Sequence, residues 1–367
     1  MDNILFLGDL LYDYNTINKD IQEIGHFFQK NNYYTVVNLE APLKSDHPKK
    51  KWINLYNNSC IIDVLQRLNV IAVDLANNHI MDWEEDGLIA LIDRLERAGI
   101  QYFGAGQNLD KAAKPIIIEI NGIKIGLAGF GWSEEMCVPA SSKKAGIAPL
   151  SNNIIIKTIQ SMKSQRVDKI VINLHWGYEY EFYPLPIHRQ LAHHIVDMGA
   201  DLIIGHHAHV IQAIETYNHA NIFYGLGNFF FGSRRHLFNT SENIISQKFS
   251  RYGLGIIWNE RQFKTILFHS DDHYTRIVDS ELYNLIDIRH IKMKDYNAFF
   301  KKNRVSTRKP SLYMSKVSWF TVPLKLYRCK LKESSIKLIV FILEKLRLKG
   351  FVKNAITHNK TRLRRSA

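Results

Sequence analysis

Five short apolar runs in the first 210 residues each close on a carboxylate, an amide or an imidazole, and this recurrence constrains the fold more than any other feature of the chain. Residues 3–7 end in Gly8-Asp9, and 34–37 lead into Asn38-Leu39-Glu40. Residues 70–75 close on Ala76-Asn77-Asn78-His79, 169–174 on His175, and 202–204 on Gly205-His206-His207-Ala208-His209. Helical spacing over 18–30, 61–68, 84–98 and 185–198 separates these runs, with Gly99 and Gly199 as stop signals. Strands that alternate with helices predict an α/β layered fold with sheets covered on both faces. In such folds ligands gather at the carboxyl ends of the strands. Asn121-Gly122 between 115–120 and 123–128 predicts a hairpin, 221–224 a further short strand, and 254–259 with 262–268 a late hairpin.

The polar residues at these strand ends share one chemistry. Carboxylates, an amide oxygen and several neutral imidazoles make the mixed oxygen and nitrogen shell that suits one or two divalent ions, Mn²⁺, Zn²⁺ or Fe. Singly, each has an ordinary reading: a turn aspartate for Asp9, a surface carboxylate for Glu40, a turn for Asn77-Asn78-His79, a hydrogen-bonded core histidine for His175, a solvated loop for 206–209. Their recurrence at successive strand ends favours a common site. After His175 comes an aromatic stretch, Trp176, Tyr178, Tyr180, Phe182 and Tyr183, with Glu179 and Glu181 among it. These side chains either pack as core or lid, or stack on a sugar ring while Glu179 binds hydroxyls. Arg234-Arg235 either holds an anionic group or forms a solvated basic loop, and Gly104-Ala105-Gly106 reads as a tight turn.

Charge divides the chain. Residues 291–367 carry 21 Lys and Arg against three Asp and Glu, whereas 1–290 carry 27 and 32. A mildly acidic body over 1–290 and a basic, partly helical extension over 291–367 are therefore expected. Within the extension, 333–349 mix a broad apolar face with Lys337, Lys345, Arg347 and Lys349. That composition suits an anionic membrane surface, the protein's own core or a partner. No nucleic-acid motif is present, and nucleic acid is not expected as a partner. Three widely spaced cysteines argue against a disulfide framework. The first residues lack a basic, apolar leader, and the longest apolar run, 338–343, is far short of the roughly 18 residues that span a bilayer. The expected location is cytoplasmic, peripheral at the inner membrane face.

Seven ordered motifs resemble a known family. Gly8-Asp9, Asn38-Leu39-Glu40-Ala41-Pro42, Ala76-Asn77-Asn78-His79, Gly104-Ala105-Gly106, Leu174-His175-Trp176-Gly177-Tyr178-Glu179-Tyr180, Gly205-His206-His207-Ala208-His209-Val210 and Tyr224-Gly225-Leu226-Gly227-Asn228-Phe229 look like the CapA (PGA_cap) family of capsule and poly-γ-glutamate synthesis proteins, related to calcineurin-like metallophosphoesterases. The resemblance runs from residue 3 to about 231 and weakly to about 270. It implies a four-layer α/β/β/α sandwich. It further implies that Asp9 and His209 bind a first metal, Glu40 bridges, and Asn78, His175 and His207 bind a second, with His79 as the catalytic acid. His206 is an alternative to His207. Trp176, Glu179, Tyr180, Asn228 and Arg234 are the expected substrate contacts. Two positions depart from the phosphoesterase pattern: Leu11 stands where a histidine is usual, and Glu40 where the bridging residue is usually Asp. The implied function is a metal-dependent hydrolase of phosphoester, less readily amide, bonds in capsule or surface-polysaccharide assembly. Its expected partners are an anionic or saccharide substrate and capsule-assembly proteins. The other reading is a non-catalytic metal- or anion-binding subunit of a synthase or export complex.

Overall fold

The computed structural model describes residues 3–50, 53–232, 249–258, 263–270, 275–280 and 283–305. These fall in the first of two units into which the chain divides, Met1–Thr307, and the second, Arg308–Ala367, lies outside them. Local chemistry sets many of the element ends. Strand β1 (Asn3–Leu11) is buried from its second residue onward, which requires cover on both faces. Asn18 caps helix α1 (Lys19–Lys30) by accepting from the Ile21 amide at 3.0 Å. Then follow β2 (Tyr33–Leu39), α2 (Ile61–Arg67), β3 (Val70–Asp74) and α3 (Glu84–Arg97). Helix α3 places Glu84, Glu85 and Asp86 in its first turn and Arg94 and Arg97 in its last, matching the helix dipole. Next come β4 (Gln101–Phe103), β5 (Ala105–Gly106), α4 (Leu109–Ala112), β6 (Ile116–Ile120) and β7 (Ile123–Gly131). Asn121 and Gly122 join β6 to β7 with φ of 54° and 80°, the left-handed pair that a tight hairpin turn needs. The chain continues through β8 (Gly146–Ile147), α5 (Asn152–Ser164), β9 (Lys169–His175), α6 (Pro186–Asp197), β10 (Leu202–His206), β11 (Ile214–Tyr217) and β12 (Ala220–Phe223). The last described elements are β13 (Asn228–Phe231), β14 (Tyr252–Trp258), β15 (Phe263–Ser270), β16 (Thr275–Val278) and α7 (Met293–Asn303).

Two sheets result. The first has the order β16-β15-β14-β1-β2-β3-β4, with β13 also pairing β1, and the second has the order β11-β12-β10-β9-β7-β6. Strands β1 to β4 are mutually parallel, as are β7, β9, β10 and β12. Side-chain alternation then separates the faces. Ile4, Phe6 and Val36 of the first sheet meet Leu127, Val171 and Leu202 of the second in one buried cluster. Leu5, Leu7 and Val37 face the other way, onto Ile24, Phe28, Leu65 and Leu91 of the helices α1 to α3. On the far side of the second sheet, Met162 of α5 lies against Gly126 of β7, and His188 of α6 stacks on Trp176 at 4.8 Å. The architecture is the four-layer α/β/β/α sandwich.

Several elements are not anticipated by sequence periodicity, three of which bear on the architecture. Helix α5 opens on Asn152-Asn153, which reads as a turn, and its apolar face is anchored by Met162 against the sheet. Strand β13 has only four residues and exists through its parallel pairing with β1. Helix α7 lies in the basic region but buries Tyr296 and Phe300, one turn apart. The Tyr296 hydroxyl donates to the Pro184 carbonyl at 2.9 Å, and the Arg189 guanidinium lies 4.5 Å from its ring. The basic stretch at 333–349 lies outside the described residues. Among the described residues no helix is long and apolar enough to cross a membrane.

Gly8 shows how closely the strands approach just before the site. A Cβ there would sit 2.1 Å from the Gly227 carbonyl oxygen, the same oxygen that accepts the Asp9 amide at 2.9 Å. Backbone, unlike a flexible side chain, cannot yield to that contact. Gly8→Ala is therefore expected to lower unfolding free energy by about 1–3 kcal/mol, measured by urea denaturation. An unchanged midpoint would contradict the packing described.

Candidate metal centre

The two sheets deliver their carboxyl ends to one place. In the first, Asp9 is level with Asn38 of β2, and Asn38 with Asp74 of β3. In the second, His206 of β10 is level with His175 of β9, and His175 with Gly131 of β7. Asp9, Glu40, His175, His206, His207 and His209 are all buried. One ligand atom each from Asp9, Glu40 and His175 lie within 4.8 Å of one another, a carboxylate and imidazole group able to hold a metal ion.

Asn38 organises the carboxylates. Its Nδ2 donates to Asp9 Oδ1 and to Glu40 Oε2, each at 2.8 Å. The second sheet approaches Asp9 from the other side. His206 Nδ1 lies 3.1 Å from Oδ1, the His207 amide donates to Oδ2 at 3.3 Å, and His209 Nδ1 lies 3.4 Å from Oδ2. Burial alone would raise the Asp9 pKa, but hydrogen bonds and charge from His206 and His209 hold it well below the usual carboxylate range. Burial, reinforced by the Asp9 charge, pushes Glu40 up to about 8. Burial opposes protonation of His209, yet the Asp9 contact and the charges of Asp9, Glu40 and Glu179 raise it to about 9. Burial and the neighbouring His207 push His175 well below the ordinary imidazole value, into the neutral form that binds metals.

His175 Nε2 lies 3.0 Å from Asn78 Oδ1 and 3.9 Å from Glu40 Oε1. Its ring centre is 4.8 Å from that of His207. Glu40 Oε1, His175 Nδ1 and both His207 ring nitrogens are buried with no hydrogen-bond partner. Buried polar atoms seldom stay unsatisfied, so this cluster has unused coordinating capacity, and its donor set fits a divalent cation. Ala41, His207 and His209 have φ of 73°, 87° and 54°. Left-handed backbone at non-glycine residues is costly and concentrates at functional sites.

Beside the cluster, His79 Nδ1 lies 2.6 Å from Asp82 Oδ2, which also accepts the Leu55 amide at 2.9 Å. Tyr180, half-buried, has its ring centre 6.4 Å from that of His209. Two of the expected substrate contacts lie inside the fold. Trp176 is 1 % exposed, donates Nε1 to the Tyr224 carbonyl at 3.0 Å and stacks on His188, so a substrate has no access to its ring. Asn228 is buried and supports the cluster instead: Oδ1 lies 2.9 Å from His209 Nδ1, and Nδ2 donates to the Ser250 carbonyl at 3.1 Å. Arg234 lies outside the described residues. Leu11 packs with Ala41, Leu55 and Phe231 in an apolar cluster. Sequence reasoning missed Asn38 and Asp82. Asn38 had a readable signal, because it stands two residues before Glu40 and so shares its face of the strand.

An α/β/β/α sandwich with a buried carboxylate and imidazole cluster at its strand ends is the class of protein defined here. Residues 3–233 match the family described as Bacterial capsule synthesis protein PGA_cap, and the chain belongs to that family. It is 36% identical over 202 residues to the PGA biosynthesis protein CapA of Bacillus subtilis, covering 54% of this chain and 53% of that one. It is 31% identical over 212 residues to the capsule biosynthesis protein CapA of Bacillus anthracis, covering 56% and 52%. The chain thus spans about half the length of these curated relatives. Among solved structures, the NAD nucleotidase of Haemophilus influenzae aligns with a TM-score of 0.45 at 12% identity, covering 82% of this chain and 56% of that one.

Glu40 and His209 both hold protons more tightly than their ordinary values of 4.5 and 6.5. The stability they contribute to the metal-free protein is complete below those ordinary values. It is lost as pH rises toward about 8 for Glu40 and about 9 for His209. Asp9, shifted the other way, adds no change across this window. The melting temperature of metal-free protein should fall between pH 6 and pH 9 (about the window of these shifts), and saturating Mn²⁺ should flatten that fall by replacing the protons. A profile unaffected by Mn²⁺ would count against a cation at this cluster.

Proposed function

We propose that this chain is a metal-dependent phosphoesterase-like hydrolase acting in capsule or poly-γ-glutamate assembly. The observation that carries the reading is the buried Asp9, Glu40 and His175 group, within 4.8 Å, with unsatisfied ligand atoms on Glu40, His175 and the neighbouring His207. Asp9, Glu40 and His209 would hold one cation, and Glu40, Asn78, His175 and His207 a second. When bound, such cations act as Lewis acids on a phosphoryl or carbonyl oxygen and acidify water. Asn38 fixes the spacing of the two carboxylates that would share them. The backbone amide of His207 and the Nδ1 groups of His206 and His209 keep Asp9 ionised and oriented. His79, anchored through Nδ1 on Asp82, would pass a proton to the leaving group through Nε2. Glu179 and Tyr180, half-buried beside His209, would contact an anionic or saccharide substrate.

A second reading, a non-catalytic cation- or anion-binding subunit of a synthase complex, is favoured by Leu11. Its apolar packing leaves the Asp9 end of the centre with one ligand fewer than the phosphoesterase pattern. Turnover separates the two. Purified protein is expected to bind Mn²⁺ and to hydrolyse a generic phosphomonoester or phosphodiester. His175→Ala should abolish both. His79→Ala should keep metal content but lower turnover about 10²- to 10⁴-fold. Metal binding with no turnover on either ester class supports the second reading, and no metal binding defeats both.

The basic and apolar composition of 333–349 further suits attachment to an anionic membrane face. Full-length protein should pellet with phosphatidylserine vesicles more than protein lacking residues 310–367, and equal pelleting would remove that role.

A further inference from the structure

One buried carboxylate beside the centre has no place in the reading so far. Glu135 closes the single 3-10 turn Ser133–Glu135 that follows β7, and it is 4 % exposed. The turn is tied to the centre by its backbone, because the Trp132 amide donates to the His175 carbonyl at 2.9 Å. The Glu135 amide donates to the Trp132 carbonyl at 3.1 Å, and the chain leaves through Met136 at φ 63°. The carboxylate is thereby carried to His207, with Oε2 3.5 Å from Nε2. Neither ring nitrogen of His207 has a hydrogen-bond partner, but the Glu135 carboxylate meets the ring on its Nε2 side, leaving Nδ1 on the other.

We propose that Glu135 is a positioning residue for His207, an inference that rests on the metal-centre reading above. A neutral imidazole carries one proton and one lone pair. The nitrogen that faces a carboxylate keeps the proton, and the opposite nitrogen is left to bind a cation. Glu135 thus selects the tautomer of His207 with the proton on Nε2 and directs Nδ1 to the metal. His209 is keyed in the opposite sense. Its Nδ1 lies 2.9 Å from Asn228 Oδ1 and 3.4 Å from Asp9 Oδ2, which leaves Nε2 as its ligating atom. The two imidazoles of one His-Ala-His segment would then present different nitrogens, and the left-handed backbone at both residues accommodates that turn of the rings. Glu135 is not itself assigned as a ligand, because its carboxylate meets the nitrogen of His207 that retains the proton.

Two readouts on the full-length chain test this. Long-range ¹H–¹⁵N spectra of histidine-labelled, metal-free protein should show His207 as the Nε2-H tautomer. In Glu135→Ala that signal should shift toward the Nδ1-H form or an average of the two. Calorimetric titration with Mn²⁺ should show Glu135→Ala binding about 10- to 100-fold more weakly at unchanged stoichiometry, with Glu135→Gln, which keeps an acceptor oxygen, recovering most of the loss. If Glu135→Ala melts well below the wild type, Glu135→Gln carries both readouts, with a smaller loss in the same direction. An Nδ1-H tautomer in the wild type, or equal Mn²⁺ affinity in wild type and variant, overturns the proposal. Wild type that binds no Mn²⁺ defeats the metal reading, and the spectra still decide whether Glu135 sets the tautomer.

Discussion

The carboxylate of Asp9 joins the two sheets at their carboxyl ends. One oxygen takes a hydrogen bond from Asn38 on the neighbouring strand and faces His206 of the opposite sheet. The other takes the His207 amide and faces His209. A buried charge is tolerated only where dipoles or opposite charges solvate it. The approach of the sheets at this end, the close passage of Gly8 under Gly227 and the strained conformations at 207 and 209 all serve that requirement. The apolar layer between the sheets sets their separation, and Asp9 sets what can stand at its rim.

Much of this was legible in the sequence. Apolar runs closing on polar residues announced the parallel strands and the rim where ligands gather. The motif order carried the family and the layer count. The hairpin at Asn121-Gly122 followed from local turn chemistry, and the helix over 18–30 from its apolar spacing. What escaped depended on tertiary contact. No local pattern says that Trp176 turns into the core to stack on His188, or that Asn228 turns toward His209 and away from solvent. The placement of Glu135 is likewise invisible in sequence, because a one-turn helix and a left-handed residue after it bring it to a histidine more than 70 residues away. Helix α7 was hidden by its lysines, whose charge masks the two aromatic residues that dock it.

Two positions of the proposed centre depart from the phosphoesterase pattern that the sequence resembles. Leu11 makes an apolar contact with Ala41, Leu55 and Phe231 where that pattern would have a histidine, and Glu40 is one methylene longer than an aspartate. In the proposed assignment the ligand set is uneven, richer on the side of His175, Asn78 and His207 than on the side of Asp9 and His209. Unequal ligand sets imply unequal affinities, so two cations at such a centre would fill in sequence rather than together.

The segment that defines the family ends at residue 233, yet β1 lies between β2 and the antiparallel strand β14, which begins at Tyr252. A fragment trimmed to the family boundary would therefore strip one flank of its innermost strand, baring unpaired amides and carbonyls along Ile4 to Phe6. Such an open, apolar margin recruits other chains into intermolecular sheet. The natural unit of folding thus reaches well past the segment by which kinship is recognised, and dissecting this protein by homology alone would invite self-association.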